Sequence, residues 1–482
     1  MSGASPALET RVGAPPRRRL GQGIIAAYGF GAVAYGVKDA GFGNFLLLFY
    51  NQVIGLPSAT VGAVIMAALL IDAFVDPAVG FFSDRTRTRW GRRHPWMYAS
   101  VLPIMIGWIL LWNPPADQAA LGWLFVCAVL VRTAVSAYEV PSVALTAELS
   151  SDYDERTRIM AWRYLWGWLG GLSIGLAAWT YFLAPSAASP AGTLTRAAFS
   201  DYAIAGAALI GLAILVSAIG THREIPRLPQ AAAGRASLAQ GFRELVQTFR
   251  NRAFAILMLA ALCVYVNQGV IYALGIYTAR YVWLFSPTDF IVQIATFVVS
   301  ATLAFLLAPR LGRRFAKPRL AARVILVGAM LITLPYWLRL AGVPLFRGGP
   351  YMVPAVLALG MIGTACNIIG YIVASSMVAD VVEDSELRTG RRDEGTFFAG
   401  FFFIQKCTSG VGIFVAGAML ALAGFPDRAE PGAVAMGVLD RLSLIHAGAY
   451  LATAVLAALA FSRFPFGRAE HEARLATLRA RS

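Results

Sequence analysis

The sequence predicts an all-α membrane protein of twelve transmembrane helices in two six-helix pseudo-symmetric bundles, with both termini cytoplasmic. Three observations carry this expectation. Hydrophobic residues make up 58% of the 482 and charged ones only 14%, well outside the soluble norm. The apolar residues gather into runs long enough to cross a bilayer. The basic residues fall in alternate connections between those runs, the asymmetry that orients membrane proteins. The net charge of +15 is explained by that placement, so the nucleic-acid reading it invites is set aside.

Residues 1–23 are polar and basic, with Arg11, Arg17, Arg18 and Arg19 but no signal-peptide apolar region. They read as a disordered cytoplasmic tail. Twelve apolar spans follow, roughly 24–50, 58–83, 95–113, 119–149, 159–184 and 199–219, then 253–284, 288–309, 320–341, 351–380, 396–424 and 443–463. The longest polar interval, 221–252, carries Pro226, Pro229 and a short amphipathic piece near Ser237 to Phe249. It divides the chain into an N-terminal bundle (24–220) and a C-terminal bundle (253–463), leaving 464–482 as a second cytoplasmic tail. The connections after spans 2, 4, 6, 8 and 10 are rich in arginine, whereas those after spans 1, 3 and 7 contain no Lys or Arg. The two halves echo each other: L-G-R-R-F-A-K-P-R (311–319) follows span 8 as W-G-R-R-H-P (90–95) follows span 2, and the acidic-basic loop 380–388 answers 148–156. Repeated halves with a site between them at mid-membrane are a transporter pattern.

Asp72 and Asp76 lie one helical turn apart in the second span, on one face and about 5–6 Å apart at Cβ. A carboxylate at bilayer depth persists where it faces a cavity, a partner or an ion path. Pro77 withdraws the hydrogen bond from the carbonyl of Ala73, between the two acids, and Pro141 does the same for Ala137 in span 4. The dense basic loop from Asp84 to Arg93 then caps the helix on the cytoplasmic side. Its arginines are expected to pair with acids at inner helix ends, Asp380, Glu383 and Asp384 being the nearest analogues, and so to latch that side shut. In span 4, Arg132, Ser136 and Glu139 form a polar stripe lining a cavity, unless Arg132 and Glu139 simply pair with each other. Only three lysines occur against 38 arginines, and Lys38 and Lys406 sit inside apolar runs; unlike arginine, a desolvated lysine can lose its proton. Asp39 pairs with Lys38 or points away from it. Cys127, Cys263, Cys366 and Cys407 share no metal-like spacing and read as buried thiols. Asn267, Gln268 and Asn367 read equally as interhelical hydrogen bonds or solute contacts, Gly171 and Gly175 as a close helix contact, and the aromatics of spans 5 and 11 as packing. The histidines, at or beyond span ends, are assigned no role.

The run Asp76-Pro-x-x-Gly80-x-x-x-Asp84-Arg85-Thr-Arg-x-Arg-Trp-Gly91-Arg92 resembles the signature of the glycoside–pentoside–hexuronide:cation symporters, the melibiose-permease branch of the major facilitator superfamily. Further matches are Y-G-F-G (28–31), Lys38-Asp39, Glu139-Val140-Pro141, Arg163 and Lys406, so the resemblance spans nearly the whole chain. It implies the major facilitator fold, a cation site on Asp72, Asp76 and Ser136, and Lys406 beside that site linking the halves. It also implies solute contacts at Asp39, Glu139 and Arg163, to which the span-4 stripe adds Arg132, and a gating loop of Gly80, Asp84, Arg85, Gly91, Arg92 and Arg93. Two departures matter. Val75 stands where sodium-using sugar symporters of the family have an asparagine, which removes an oxygen ligand, and Val143 stands where melibiose-type members have a tryptophan.

The expected activity is cation-coupled symport, by proton or sodium, of a small polar solute such as a sugar, glycoside or hexuronide. The alternatives are an amphipathic lysolipid-like solute and a non-transporting sensor or scaffold on the same fold. No nucleophile–base pair, metal spacing or phosphate loop suggests an enzyme, and neither a cofactor nor a metal beyond a sodium ion at Asp72 and Asp76 is expected. The protein is expected to be a monomer in a bacterial inner membrane.

Overall fold

The computed structural model of the protein describes residues 20–115, 120–150, 152–184, 194–228, 243, 247–389 and 394–465. The expected tails before residue 20 and after 465, and most of the interval around Ser237 to Phe249, lie outside the described residues.

The architecture is all-helical. In chain order the main helices are α1 (Gln22–Phe30), α2 (Val33–Ala40), α3 (Ser58–Arg85), α4 (His94–Leu111), α5 (Ala120–Leu149), α6 (Tyr153–Ala177) and α7 (Arg196–His222). Then come α8 (Arg252–Tyr277), α9 (Pro287–Arg314), α10 (Lys317–Leu340), α11 (Met352–Thr389), α12 (Glu394–Ala423) and α13 (Met436–Ser462). Among the described residues, 10 helices are long and apolar enough to cross a membrane. The expected spans 24–50 and 159–184 are helical but do not meet that measure. The first is broken into α1, α2 and wider turns at Gly41–Phe45 and Phe49–Ile54. The second, α6, opens on charged residues and is rich in Trp, Tyr and Gly.

Local chemistry sets the helix starts. Asp152 accepts the Glu155 amide at 2.9 Å, Asn251 accepts those of Ala253 and Phe254, and Ser286 with Asp289 closes a reciprocal cap on α9. One expectation is corrected here. Residues 380–388 are not a loop but the last turns of α11, because Asp, Glu, Leu and Arg without Gly or Pro let a helix continue past the apolar run. Likewise α5 and α6 are separated by only a short turn.

Large apolar side chains on outward faces, such as Leu102 and Phe305, are exposed, as a lipid-facing surface requires. Inside, Trp112 stacks on Phe199 with ring centroids 5.5 Å apart, in a cluster with Trp108 and Tyr202 that ties α4 to α7. The cysteines are free, but only Cys127 and Cys263 are buried; Cys366 and Cys407 are half-buried because their helices turn those faces partly outward. Gly171 does meet the backbone of Gly36, whereas Gly175 faces open space, so the expected contact is made one turn earlier. His446 is buried within α13 rather than near its end.

The contact that positions the centre is α3 against α12. Ser58 Oγ donates to the Gly417 carbonyl at 3.0 Å, and a Cβ at Gly417 would collide with the Ser58 carbonyl. Glycine there lets the two backbones touch.

Candidate functional site

Halfway along that seam, α3 presents Asp72 and Asp76, one turn apart. Asp72 is buried, and Arg132 of α5 donates to its Oδ2 from Nη2 at 2.6 Å and from Nε at 3.1 Å. Ser136, one turn further along α5, donates to Asp72 Oδ1 at 2.7 Å. Lys406 of α12 forms an ion pair with Asp76 Oδ2, and its Nζ lies 3.7 Å from Asp72 Oδ2. The remaining oxygen, Asp76 Oδ1, is buried without a hydrogen bond. Lys38 and Glu139 line the same space.

The structure thus brings together Asp72, Asp76, Ser136 and Lys406 as expected, and corrects the alternative for Arg132. Arg132 pairs with Asp72, not with Glu139, because seven residues along a helix is about 10.5 Å and the neighbouring helix supplies a nearer acid. Glu139 makes no hydrogen bond or ion pair among the described residues. Lys38 and Asp39 do pair, at 2.6 Å, with Lys38 buried and Asp39 half-exposed; Lys38 also lies over the Tyr35 ring at 4.3 Å. Arg163 of α6 donates to Ser142 Oγ at 2.7 Å and sits over the Tyr28 ring at 5.0 Å. Tyr28 in turn hydrogen-bonds Thr146 at 2.7 Å, so Arg163 is held among α1 and α5.

A metal ion at Asp72 and Asp76 does not fit this donor set. Hard cations need several oxygens. Both acceptor positions of Asp72 Oδ2 are taken by Arg132, Oδ1 by Ser136, and one oxygen of Asp76 by Lys406. Val75 adds no oxygen.

At the basic end, Gly91 turns the 84–93 loop with φ of 74°, a conformation open to glycine. Arg92 and Arg93 both reach Glu148 at the end of α5, at 2.8 and 2.7 Å, and Arg93 also binds Asp84 at 2.5 Å and Ser83 at 2.8 Å. Arg85 lies over the Phe81 ring at 3.4 Å, and Gly80 faces Val140 of α5. Arg92 and Arg93 thus meet an acid at an inner helix end, but it is Glu148 rather than one after span 10; Lys317 binds Asp380 at 2.7 Å.

At the opposite end, residues 51–54 meet 426–429. Asn51 Nδ2 donates to Asp427 at 2.5 Å, Gln52 Oε1 accepts the Ala429 amide at 2.7 Å, and Arg428 donates to the Ile54 carbonyl at 2.7 Å. Tyr277 of α8 joins by donating to Asn51 Oδ1 at 2.9 Å. Sequence reasoning missed this set; the one available signal was two adjacent amides, Asn51 and Gln52, ending an apolar run. Of the polar candidates in the second half, Asn267 and Asn367 bond Tyr450 of α13 at 3.2 and 2.9 Å, while Gln268 bonds only Tyr272, at 3.0 Å.

Lipid-facing helices around a charged centre, with ion pairs joining the two ends of the chain across it, define a membrane transporter. The chain belongs to the MFS/sugar transport protein family, whose sequence profile matches residues 27–468. An uncharacterized symporter of Synechocystis is 26% identical over 480 residues, covering 82% of this chain and 86% of that protein. A glucuronide carrier protein homolog of Escherichia coli is 25% identical over 451 residues, covering 91% and 92%. In fold, the chain superposes on a D-xylose-proton symporter with a TM-score of 0.62 at 12% identity, covering 92% of this chain and 97% of that one. It is an integral membrane protein and a transporter rather than an enzyme.

Proposed function

We propose that the protein couples a cation to the movement of a small polar organic solute, a sugar, glycoside or hexuronide, by alternating access between bundles 24–220 and 253–463, with both termini cytoplasmic. The carrying observation is Lys406, which spans from α12 to Asp76 and approaches Asp72 on α3. Neutralising Asp76 releases that tie, so the state of the acids and the separation of the halves are one equilibrium. Glu139, which makes no hydrogen bond among the described residues, and half-exposed Asp39 supply solute contacts, with Arg163 and Arg132 holding the cavity wall. The hydrogen bonds joining 51–54 to 426–429 support a form closed on the outer side, with loop 84–93 as part of the inner gate. The chain carries every residue of this site, which supports a working monomer. The carrier name of the Escherichia coli relative supports the solute class.

The test is solute-induced alkalinisation and concentrative uptake in proteoliposomes, screened over sugars, glycosides and hexuronides. Asp76→Asn is expected to abolish accumulation while leaving solute binding; accumulation at the wild-type level would refute the coupling role.

A further inference from the structure

We propose that Arg132 is a resident cation that closes the Asp72–Asp76 site to alkali-metal ions. The inference rests on reading that site as the coupling site, and it narrows the coupling ion to the proton.

The argument begins with the difference between the two cations already present. Lys406 is 28% exposed along its side chain and, on a flexible stem, can swing away from the acids. Arg132 cannot. Its guanidinium keeps its charge at any physiological pH, its side chain is 5% exposed, and the Phe42 ring 5.4 Å away covers one face. Two of its N–H groups converge on a single oxygen of Asp72, at 2.6 and 3.1 Å. Lys406 Nζ stands 3.7 Å from that same oxygen, so a metal ion bound there would meet two cations.

A sodium ion entering here would have to shed its water for protein oxygens, and both oxygens of Asp72 are already engaged. Ser136 is committed as a donor to Asp72 Oδ1 at 2.7 Å. Asp76 Oδ1 has no hydrogen bond and Glu139 lines the same space, but with Asp72 already held by Arg132 these do not replace a hydration shell. The ion would also sit beside a fixed positive charge whose side chain is almost wholly buried and so weakly screened. A proton has neither requirement: it needs one oxygen and no coordination sphere.

The test needs no knowledge of the solute. Purified full-length protein in detergent is titrated with radiolabelled sodium in alkaline buffer. The wild type is expected to show no saturable binding, and Arg132→Ser is expected to gain it, with affinity raised at least about a hundredfold. The gained binding is expected to vanish in the double variant Arg132→Ser/Asp72→Asn. Arg132→Gln, which removes the charge but keeps an amide donor, serves if the serine variant does not fold, and the same gain is expected of it. Saturable sodium binding by the wild type that Asp72→Asn removes would overturn the proposal. So would folded Arg132 variants that still ignore sodium, since Lys406 would then suffice to exclude the metal. Failure of symport itself is read separately, as absent solute-induced alkalinisation, whatever the sodium titration gives.

Discussion

Arg132 and Asp72, 60 residues apart in the chain, meet through two hydrogen bonds to one carboxylate oxygen, with both side chains almost wholly buried. Breaking such a pair from one side leaves a charge without a partner. Asp72→Asn and Arg132→Gln are each expected to lower stability by roughly 3–5 kcal/mol. The double variant should recover much of that loss, because neither charge is then stranded. Thermal unfolding of the three variants in detergent, compared as a cycle, checks this; purely additive losses would mean the pair is not coupled.

Lys406→Ala removes the ion pair that ties α12 to Asp76 and brings it near Asp72. Solute-driven proton movement is expected to fall about tenfold or more relative to solute uptake, equivalent to ~1.4 kcal/mol of lost coupling. Parallel measurement of both fluxes in the same vesicles decides, and an unchanged ratio would remove the lysine from the mechanism.

Glu148 holds Arg92 and Arg93 together at the end of α5. Glu148→Gln keeps the shape and one donor–acceptor pair but loses the charge, so loop 84–93 should loosen. The expected readout is faster tryptic cleavage after Arg87 or Arg89, by several-fold, with central solute binding retained. Cleavage at the wild-type rate would show that Asp84 and Ser83 suffice to anchor Arg93.

Asp427 lies outside the spans, and burial raises its carboxyl above the ordinary carboxylate range, although Asn51 and Arg428 pull the other way. The closed outer side therefore takes up a proton more readily than the open one. By linkage, closure is weakened as pH rises through the raised value and regains strength below it. A cysteine at Val53, half-buried within the 51–54 seal, in a background lacking the native four, should react with an impermeant maleimide more readily as pH rises from the ordinary carboxylate range through the raised value. Asp427→Asn should flatten that dependence.

Much of the central cluster was legible because apolar sequence makes charge conspicuous. Asp72, Asp76 and Lys406 each interrupt a run that lipid would otherwise select, and i,i+4 spacing put the two acids on one face. Arg132 was visible for the same reason, but its partner was not. Periodicity says which face of α5 is polar, whereas the rotation of α5 against α3 is set by packing along both helices. The same gap explains Arg92 and Arg93, whose shared acid is Glu148, contributed by a helix end that local composition marked only as a loop. The outer seal was the least readable part, since Asn51 and Asp427 are separated by 376 positions and neither belongs to a recognisable pattern. Helix ends were misjudged where charged but helix-favouring residues extended α11 beyond the apolar run.

The Ser58–Gly417 contact gives the seam between α3 and α12 an unequal build. Towards one end the chains touch through bare main chain; halfway down they are joined by charge through Lys406; beyond lies the Phe74–Phe403 ring contact, 6.2 Å between centroids. Surfaces that meet as smooth backbone part and re-form without unlocking interdigitated side chains, so that stretch of the seam resists rocking less than the ionic rung does. A valine at Gly417 would act as a wedge, prising the outer mouth apart while every charge stayed in place.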